Sequence, residues 1–370
     1  GVRLFAGRLR TRDRVHNVTA DRQEQVTQIK RMSLGRYQDA AELRAGDIGF
    51  LCGLPEARIG DILGDEGAVP GGYTLTAPLL SVQVTPADVA DFASLAAALQ
   101  QLSSEDPHLD FRWFQQEREL YVRIMGAVQT EILTELLQTR FGIVARFDAP
   151  TVIYQETPTT AAEGAESYTM PKPCWAIVKF LVEPAPPGSG ISYRSEVGKS
   201  DIHPKYQNEI AQRIEHALQQ GPKGWETTDL SITLVEGCHH LLHSRPGDFK
   251  LATDMAILKA LVAAETKLLE PMLTFRITAP EASLGKVTSD VVNMRGTFEP
   301  ATFEGDRFVL RGRIPLATSM DYAIALSSVT AGRGTLSTWF DGYQDCPSEL
   351  GTSRNFKGIS PLDRAKYILW

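Results

Sequence analysis

The sequence predicts an α+β fold spread over several domains, and three observations carry that expectation. The chain opens with short β runs parted by Gly-Asp turns. The order strand, helix, strand, strand, helix, strand then occurs twice, and between the two copies lies a Gly- and Pro-punctuated block of strands and long helices. A length of 370 residues accommodates roughly two to four such units.

The first stretch reads as part of a small β-barrel, assigned to residues 1–74. Its strands are Arg3–Arg10, Gln25–Lys30, Ala45–Leu51 and Ile59–Gly64. Residues 1–36 hold nine Lys/Arg against three Asp/Glu, so this end is locally basic. A solvated barrel face accounts for that at least as well as an RNA footprint. Gly71-Gly72 and Pro78 mark a linker.

Residues 75–149 follow as the first split βαβ module, a ferredoxin-like arrangement. Leu80–Val84 is a strand, and Pro86 opens a helix with Val89, Phe92, Leu95, Ala96 and Leu99 on one face. Phe111–Phe114 and Leu120–Ile124 form a hairpin. Val128, Ile132, Leu136 and Leu137 line a second helix, and Ile143–Phe147 closes the module. In residues 150–270, Pro171, Pro173, Pro184, Pro186 and Pro187 break up the chain. Strands are expected at Trp175–Val182, Ile191–Val197 and Leu230–Val235, with helices at Tyr206–Gln219 and Phe249–Leu269. Residues 271–343 repeat the βαββαβ order. Residues 344–370 are an extension, a Gly/Ser-rich linker and then a short helix at Pro361–Trp370 capped by Ser360.

Composition excludes several classes. A net charge of -7 argues against a nonspecific DNA coat. No run of 18 apolar residues is present, so no transmembrane helix is expected. The start, Gly1-Val2-Arg3-Leu4-Phe5, lacks the pattern of a signal peptide. It also lacks an initiator Met, which fits an internal fragment. Cys52, Cys174, Cys238 and Cys346 are far apart, as free thiols in a reducing cytoplasm would be.

The sequence holds no complete catalytic motif of the common kinds. Gly198-Lys199-Ser200 ends like a phosphate-binding loop, but Tyr193 stands where the first glycine is required. No G-x-S-x-G elbow occurs, and no carboxylate pair stands out as acid and base. Cys238, His239, His240 and His243 are the densest group of possible metal ligands. Their position after a strand and before Pro246-Gly247 reads as a polar loop tip, so no metal is assigned. The loops Pro187-Gly188-Ser189-Gly190 and Gly237–Pro246 are the functional candidates. Residues 151–270 hold eleven Lys/Arg against fifteen Asp/Glu. RNA contact there would rest on a few tip residues, through shape and stacking.

The order of these units, and several motifs along them, resembles the part of elongation factor G that lies after its GTPase domain. Ala45-Gly46-Asp47-Ile48 with Ile59-Gly60-Asp61-Ile62-Leu63 resembles the end of the translation-factor barrel. Asp106-Pro107, Gly126–Glu131 and Leu269-Glu270-Pro271-Met272 are similar to patterns in its third domain and at the start of its fifth. Within that superfamily the chain is most similar to the tetracycline ribosomal protection proteins. Pro150–Glu156 resembles P-T-V-I-Y-x-E, and Pro187–Tyr193 resembles P-L-G-S-G-x-x-[YF]. Gly221–Asp229 resembles G-L-x-G-W-x-V-T-D, and Pro246–Lys250 resembles P-A-D-F-R. The segment Pro361–Tyr367, with Asp363, Arg364, Lys366 and Tyr367, looks like the terminal helix that elongation factor G usually lacks.

The resemblance implies a partial β-barrel as domain II (1–74) and ferredoxin-like domains III (75–149) and V (271–343). Between them it implies an α/β ribosomal-protein-S5-like domain IV (150–270), and after them the extension (344–370). It implies a bacterial ribosome as partner, with 16S and 23S rRNA and ribosomal proteins, and no DNA or membrane. It further implies a monomer in the cytoplasm. GTP and Mg would belong to a GTPase domain upstream, and this chain itself would hold no cofactor and no catalytic residue. Carried over by position, His239, His240, Leu241, Leu242 and His243 form the tip that dislodges tetracycline from the decoding region. Many members carry Y-Y-S-P-V there. Here two histidines replace the tyrosines, still able to stack on bases, and Leu-Leu-His replaces Ser-Pro-Val. An elongation factor G paralogue acting in translocation or recycling is one alternative. A metal enzyme at Cys238, His239, His240 and His243 is another.

Overall fold

The computed structural model describes residues 1–19, 21–33, 36–55, 57, 59–69, 78–169 and 175–369. The expected linker at Gly71-Gly72, together with Pro171, Pro173, Cys174 and Trp370, lies outside them.

The N-terminal part is an open set of strands. Val2–Arg3, Ile48–Cys52, Gln28–Ser33 and Arg36–Ala40 make one antiparallel sheet, accompanied by the hairpin of Arg14–Asn17 with Arg22–Gln25 and by the pair Arg8–Arg10 with Glu42–Arg44. Leu9, Val26, Ile29 and Leu43 are its buried centre. The run Arg3–Arg10 is not one strand. Gly7 takes a positive φ of 71° and breaks it in two. Ile59–Gly64 is not a strand either, since only Leu63 bridges, to Asn17.

The first βαββαβ module has the strand order 112–114, 119–124, 80–86, 145–147. Val82, Val84, Leu120 and Val122 face its two helices, so Ser81, Gln83, Tyr121 and Arg123 face the other way. The first helix begins at Phe92, not Pro86. Pro86 ends the strand, and Asp88 caps the turn that leads into the helix. In the second helix Leu133 and Leu137 are buried, whereas Val128 and Ile132 are exposed. A tertiary contact chose a neighbouring stripe on the same apolar surface.

In the central unit, strands Ala162–Thr169, Trp175–Pro184, Leu230–His239 and Ile191–Ser195 form a sheet in that spatial order. The last two are parallel, joined by the helix Pro204–Ala217. The helix Asp248–Ala264 lies across the sheet and is buried on nearly every side. That is why its sequence shows no polar face. It ends at Ala264, five residues short of the expected Leu269, because Glu265 turns the chain at φ 51°. Gly164 lies under this helix. A Cβ there would collide with the Ala256 carbonyl oxygen and the Ala260 amide nitrogen.

The strand Thr266–Pro280 is fifteen residues long and joins two units. Its first half pairs with Gln155–Pro158, and its second half is the first strand of the C-terminal βαββαβ module. That module has the order 335–345, 266–280, 307–315, 297–298, with 302–304 also on 307–315. Phe275, Ile277, Phe308 and Leu310 bury against its helices. The terminal helix is Arg364–Leu369. It is led by Asp363, whose carboxylate accepts the Lys366 amide at 3.4 Å, and not by Ser360.

Gly164→Ala is expected to destabilise the chain by about 1–3 kcal/mol or more, the usual cost of overpacking against backbone. Thermal unfolding measures it. An unchanged Tm would show that strand and helix can part without cost.

Candidate functional site

The strand Leu230–His239 runs four residues further than its apolar alternation indicates, so Cys238 and His239 lie on the sheet. The chain then turns through His240–Ser244 before the helix at Asp248. Two side chains close this turn. The Ser244 hydroxyl donates to the Trp175 carbonyl at 2.5 Å and accepts the His240 amide at 2.9 Å. One Asp248 carboxylate oxygen accepts the amides of Trp175 at 3.0 Å and Arg245 at 2.7 Å. The tip is therefore held from beneath while its outer residues stay in solvent. Leu241 is 89% and Leu242 76% exposed, more than any folding role explains.

The histidines form a ring system on this support. His240 lies 4.3 Å from His243 and 5.4 Å from Trp175, centroid to centroid. His239 lies 6.3 Å from His203 and 6.0 Å from Tyr206. The His239 amide donates to the Asp201 carbonyl at 2.8 Å, which brings the Gly198-Lys199-Ser200 turn to the same end. Lys199, Lys205, Arg245 and Lys250 are exposed there and pair with no carboxylate side chain among the described residues. His203, Trp175, Lys199, Lys205 and Lys250 were not legible as site residues, whereas Arg245 already lay within the candidate loop Gly237–Pro246. Only the fold brings residues 175, 199 and 203 beside 239–243. Among the described residues no three His, Cys, Asp or Glu side chains converge as metal ligands. The Cys238 thiol donates to the His239 carbonyl.

Pro187-Gly188-Ser189-Gly190 is not part of this site. It follows Pro184, whose strand partner is Leu230, whereas the tip adjoins Ala176, partnered with His239. Strands of this length separate the two loops by about 30 Å. The loop is shaped by Asp229, whose two carboxylate oxygens accept the amides of Gly188 and Gly190 at 2.9 Å each.

The terminal helix lies elsewhere again, on the flank of the central unit. There it supplies one cation and one hydroxyl to two buried carboxylates. Arg364 and Lys259 pair with Glu166 at 2.9 and 2.5 Å. The Tyr367 hydroxyl donates to Asp254 at 2.5 Å, beside Arg213 at 2.7 Å. Among the described residues Lys366 pairs only with Asp363, within its own segment. Burial raises the pKa of both carboxyls, but hydrogen bonds from the partners outweigh it and hold both below the usual range.

Residues 352–358 connect this helix to the first module. Lys357 pairs with Glu119 at 2.5 Å, and the Gly358 amide donates to Glu117 at 2.8 Å. The Arg354 guanidinium lies 4.0 Å over the Trp225 ring, and its Nε donates to the Gly224 carbonyl at 2.6 Å. Burial, with Arg112 and Arg123 nearby, pulls the Arg354 pKa down to about 10. Trp225 is held by Glu156, a fully buried carboxylate. It accepts the amides of Lys223 at 2.9 Å and Trp225 at 2.8 Å, and the Thr266 hydroxyl at 2.7 Å. Burial raises its pKa despite these bonds. Around Tyr154, Trp225, Arg354 and Lys357 a cavity of about 430 Å³ opens between the two modules and the extension.

Three family profiles match the chain in succession. They are Elongation Factor G, domain III, over residues 75–149, Elongation factor G, domain IV, over 150–265, and Elongation factor G C-terminus over 267–353. The chain belongs to the elongation factor G family and carries these three domains in order. It is similar to the tetracycline resistance protein TetP of Clostridium perfringens, at 34% identity over 371 residues. That match covers 100% of this chain and 57% of the relative, so the chain spans little more than half of that protein's length. A crystal structure of a Thermus thermophilus protein matches with a TM-score of 0.58 and 26% identity. It covers 94% of this chain and 53% of the other.

Two outcomes test the supports. Glu156→Ala should cost about 2–4 kcal/mol by orphaning the buried Trp225 amide and the part-buried Lys223 amide. Glu156→Gln should cost less, because it keeps an acceptor; chemical denaturation compares them, and equal losses would refute the amide role. The Glu166 and Asp254 contributions are complete above the ordinary carboxylate pKa and vanish as pH falls through the lowered native values. Deleting residues 360–370 should therefore move the acid-unfolding midpoint to higher pH. A midpoint that stays in place would show that the helix does not tune them.

Proposed function

We propose that this chain is the ribosome-binding portion of a translational GTPase of the ribosomal protection type. In this reading the 239–243 tip reaches the decoding region and dislodges tetracycline. The observation that carries it is the tip itself: two nearly bare leucines and a histidine, braced by part-buried hydrogen bonds and flanked by histidine rings in tilted contact and by cations without carboxylate partners among the described residues. Such a surface suits unstacked bases and phosphates. The similarity to TetP across the whole chain supports the drug-displacement reading. GTP and Mg would be used by a GTPase domain, which these residues do not include, and 16S and 23S rRNA would be the surfaces met. The terminal helix, with Asp363, Arg364, Lys366 and Tyr367, would act by bracing the central unit.

A second reading, an elongation factor G paralogue that promotes translocation or recycling, is favoured by Leu241-Leu242-His243 in place of the usual tip. Release of labelled tetracycline from ribosomes, measured with GTP beside a translocation assay on the protein joined to a GTPase domain, separates the two. Drug release without translocation supports protection, and the reverse supports the paralogue. Replacing Leu241, Leu242 and His243 with Ala should abolish protection while changing stability by under ~0.5 kcal/mol, as exposed loop changes do. Unchanged protection in that variant would sink the tip assignment.

A further inference from the structure

The cavity of about 430 Å³ between the two modules and the extension plays no part in the tip, and its walls carry a chemistry of their own. Its volume falls within the range of about 300–1,000 Å³ usual for small-molecule sites. Segments far apart in the chain build it. Tyr121 comes from the outer sheet face of the first module, and Trp225 from the turn 221–225. Met320 comes from the C-terminal module, and Arg354 and Lys357 from the extension.

One wall is apolar. Tyr154 and Trp225 meet edge-on at 5.4 Å, and Val152, Ala317 and Met320 continue the surface. Beside it stands a cation that has no carboxylate. The Arg354 guanidinium lies over Trp225 and gives its Nε to the Gly224 carbonyl, but its two terminal nitrogens make no hydrogen bond among the described residues. An adjoining recess shares Tyr121, Trp225 and Arg354 with the cavity and adds Arg112 and Arg123, which divide one carboxylate, Asp110, between them. Lys357 is paired with Glu119. Asp148 is exposed, lines the cavity and pairs with no cation among the described residues. Four cations thus stand against three carboxylates, and the site keeps one net positive charge. Burial and the two neighbouring arginines make the Arg354 charge costly, which is what lowers its pKa, and an anion at its terminal nitrogens removes that cost. One net charge matches a monoanion better than a dianion. The planar fork of donors matches a carboxylate, and the aromatic wall matches a ring.

We propose that this cavity binds a small aromatic monocarboxylate. The terminal nitrogens of Arg354 hold its carboxylate, and its ring lies along the wall of Val152, Tyr154 and Met320. Asp148 disfavours ligands with a second negative charge. Because the walls come from both modules, the turn at Trp225 and the extension, the ligand stabilises the arrangement in which they meet. The inference needs neither drug displacement nor a GTPase domain, and its failure would leave the reading of the tip untouched.

The test is calorimetric titration of the 370-residue chain with three acids, 2-naphthoate, cinnamate and indole-3-carboxylate. The neutral 2-naphthylmethanol and the dianionic 2-naphthyl phosphate serve as comparators. At least one acid should saturate a single site with a Kd under about 1 mM and raise the Tm, and 2-naphthylmethanol and 2-naphthyl phosphate should each bind more weakly than 2-naphthoate. Arg354→Gln should weaken the acid at least about tenfold, the usual weight of a charged hydrogen-bonded pair. Two further variants keep the proposal testable if that one unfolds. Met320 is 42% exposed, so Met320→Trp narrows the cavity from its edge and should abolish binding with the Tm of the free chain unchanged. Asp148→Asn removes an exposed negative charge and should tighten binding about two- to threefold. No saturable binding by any of the three acids would overturn the proposal. So would a neutral alcohol that binds as well as the acid, or an affinity that the variants leave unaltered.

Discussion

The buried carboxylate of Glu156 is the constraint on which the arrangement of units depends. No cation forms an ion pair with it among the described residues, although Lys223 lies near enough to favour its charged form. The carboxylate is kept in the interior by two backbone amides and one hydroxyl, a set that leaves its oxygens satisfied while burial raises its pKa. Those bonds fix the turn 221–225 and hence Trp225. Trp225 packs edge-on against Tyr154, lies beneath Arg354, and donates its indole N–H to the Thr352 carbonyl at 2.7 Å. One acid on the strand 155–158 thereby sets where the first module, the central unit and the extension meet.

The extension continues the same logic by hydrogen bonding rather than by area. Lys357 and Gln220 exchange two bonds through the Lys357 backbone, and the terminal helix ends on carboxylates that would be costly if left alone in the interior. Asp254 and Glu166 are almost fully buried, so each needs every partner it has. A rigid flank is what a slender tip requires, because the bracing hydrogen bonds at Ser244 and Asp248 rest on the helix Asp248–Ala264. That helix in turn is clamped between the sheet and Tyr367.

The two modules show how one topology meets different surroundings. Both leave one sheet face without helices. In the first, the turn at Trp225 and the strap at Arg354 fill it, which makes it a joint. In the second, nothing in the described residues covers Arg276, Arg311 and Trp339, which are exposed. The difference lies in a few outward residues and in where the extension runs, not in the fold.

Local pattern in the sequence was enough to determine the α+β class, the twofold βαββαβ order and the apolar faces of most strands, because period-two alternation is written in adjacent residues. The tip was legible too, from its position after an alternating strand and before Pro246-Gly247. Long-range pairing was not. The strands 155–158 and 162–169 were left unassigned, since their glutamates and Gly164 interrupt any apolar pattern, yet Glu156 and Glu166 are buried because their partners arrive from residues 223–266, 259 and 364. The boundary at Ala264 is marked only by the short polar step Glu265-Thr266-Lys267, between a buried helix and a buried strand of similar composition. Pro187–Gly190 and 239–243 looked alike as exposed loops, and only the ten-residue strands between them put them at opposite ends. Residue chemistry decided what each loop could bind. Tertiary structure decided which residues share a site, because charge pairing and hydrogen bonding act across space between segments far apart in the chain.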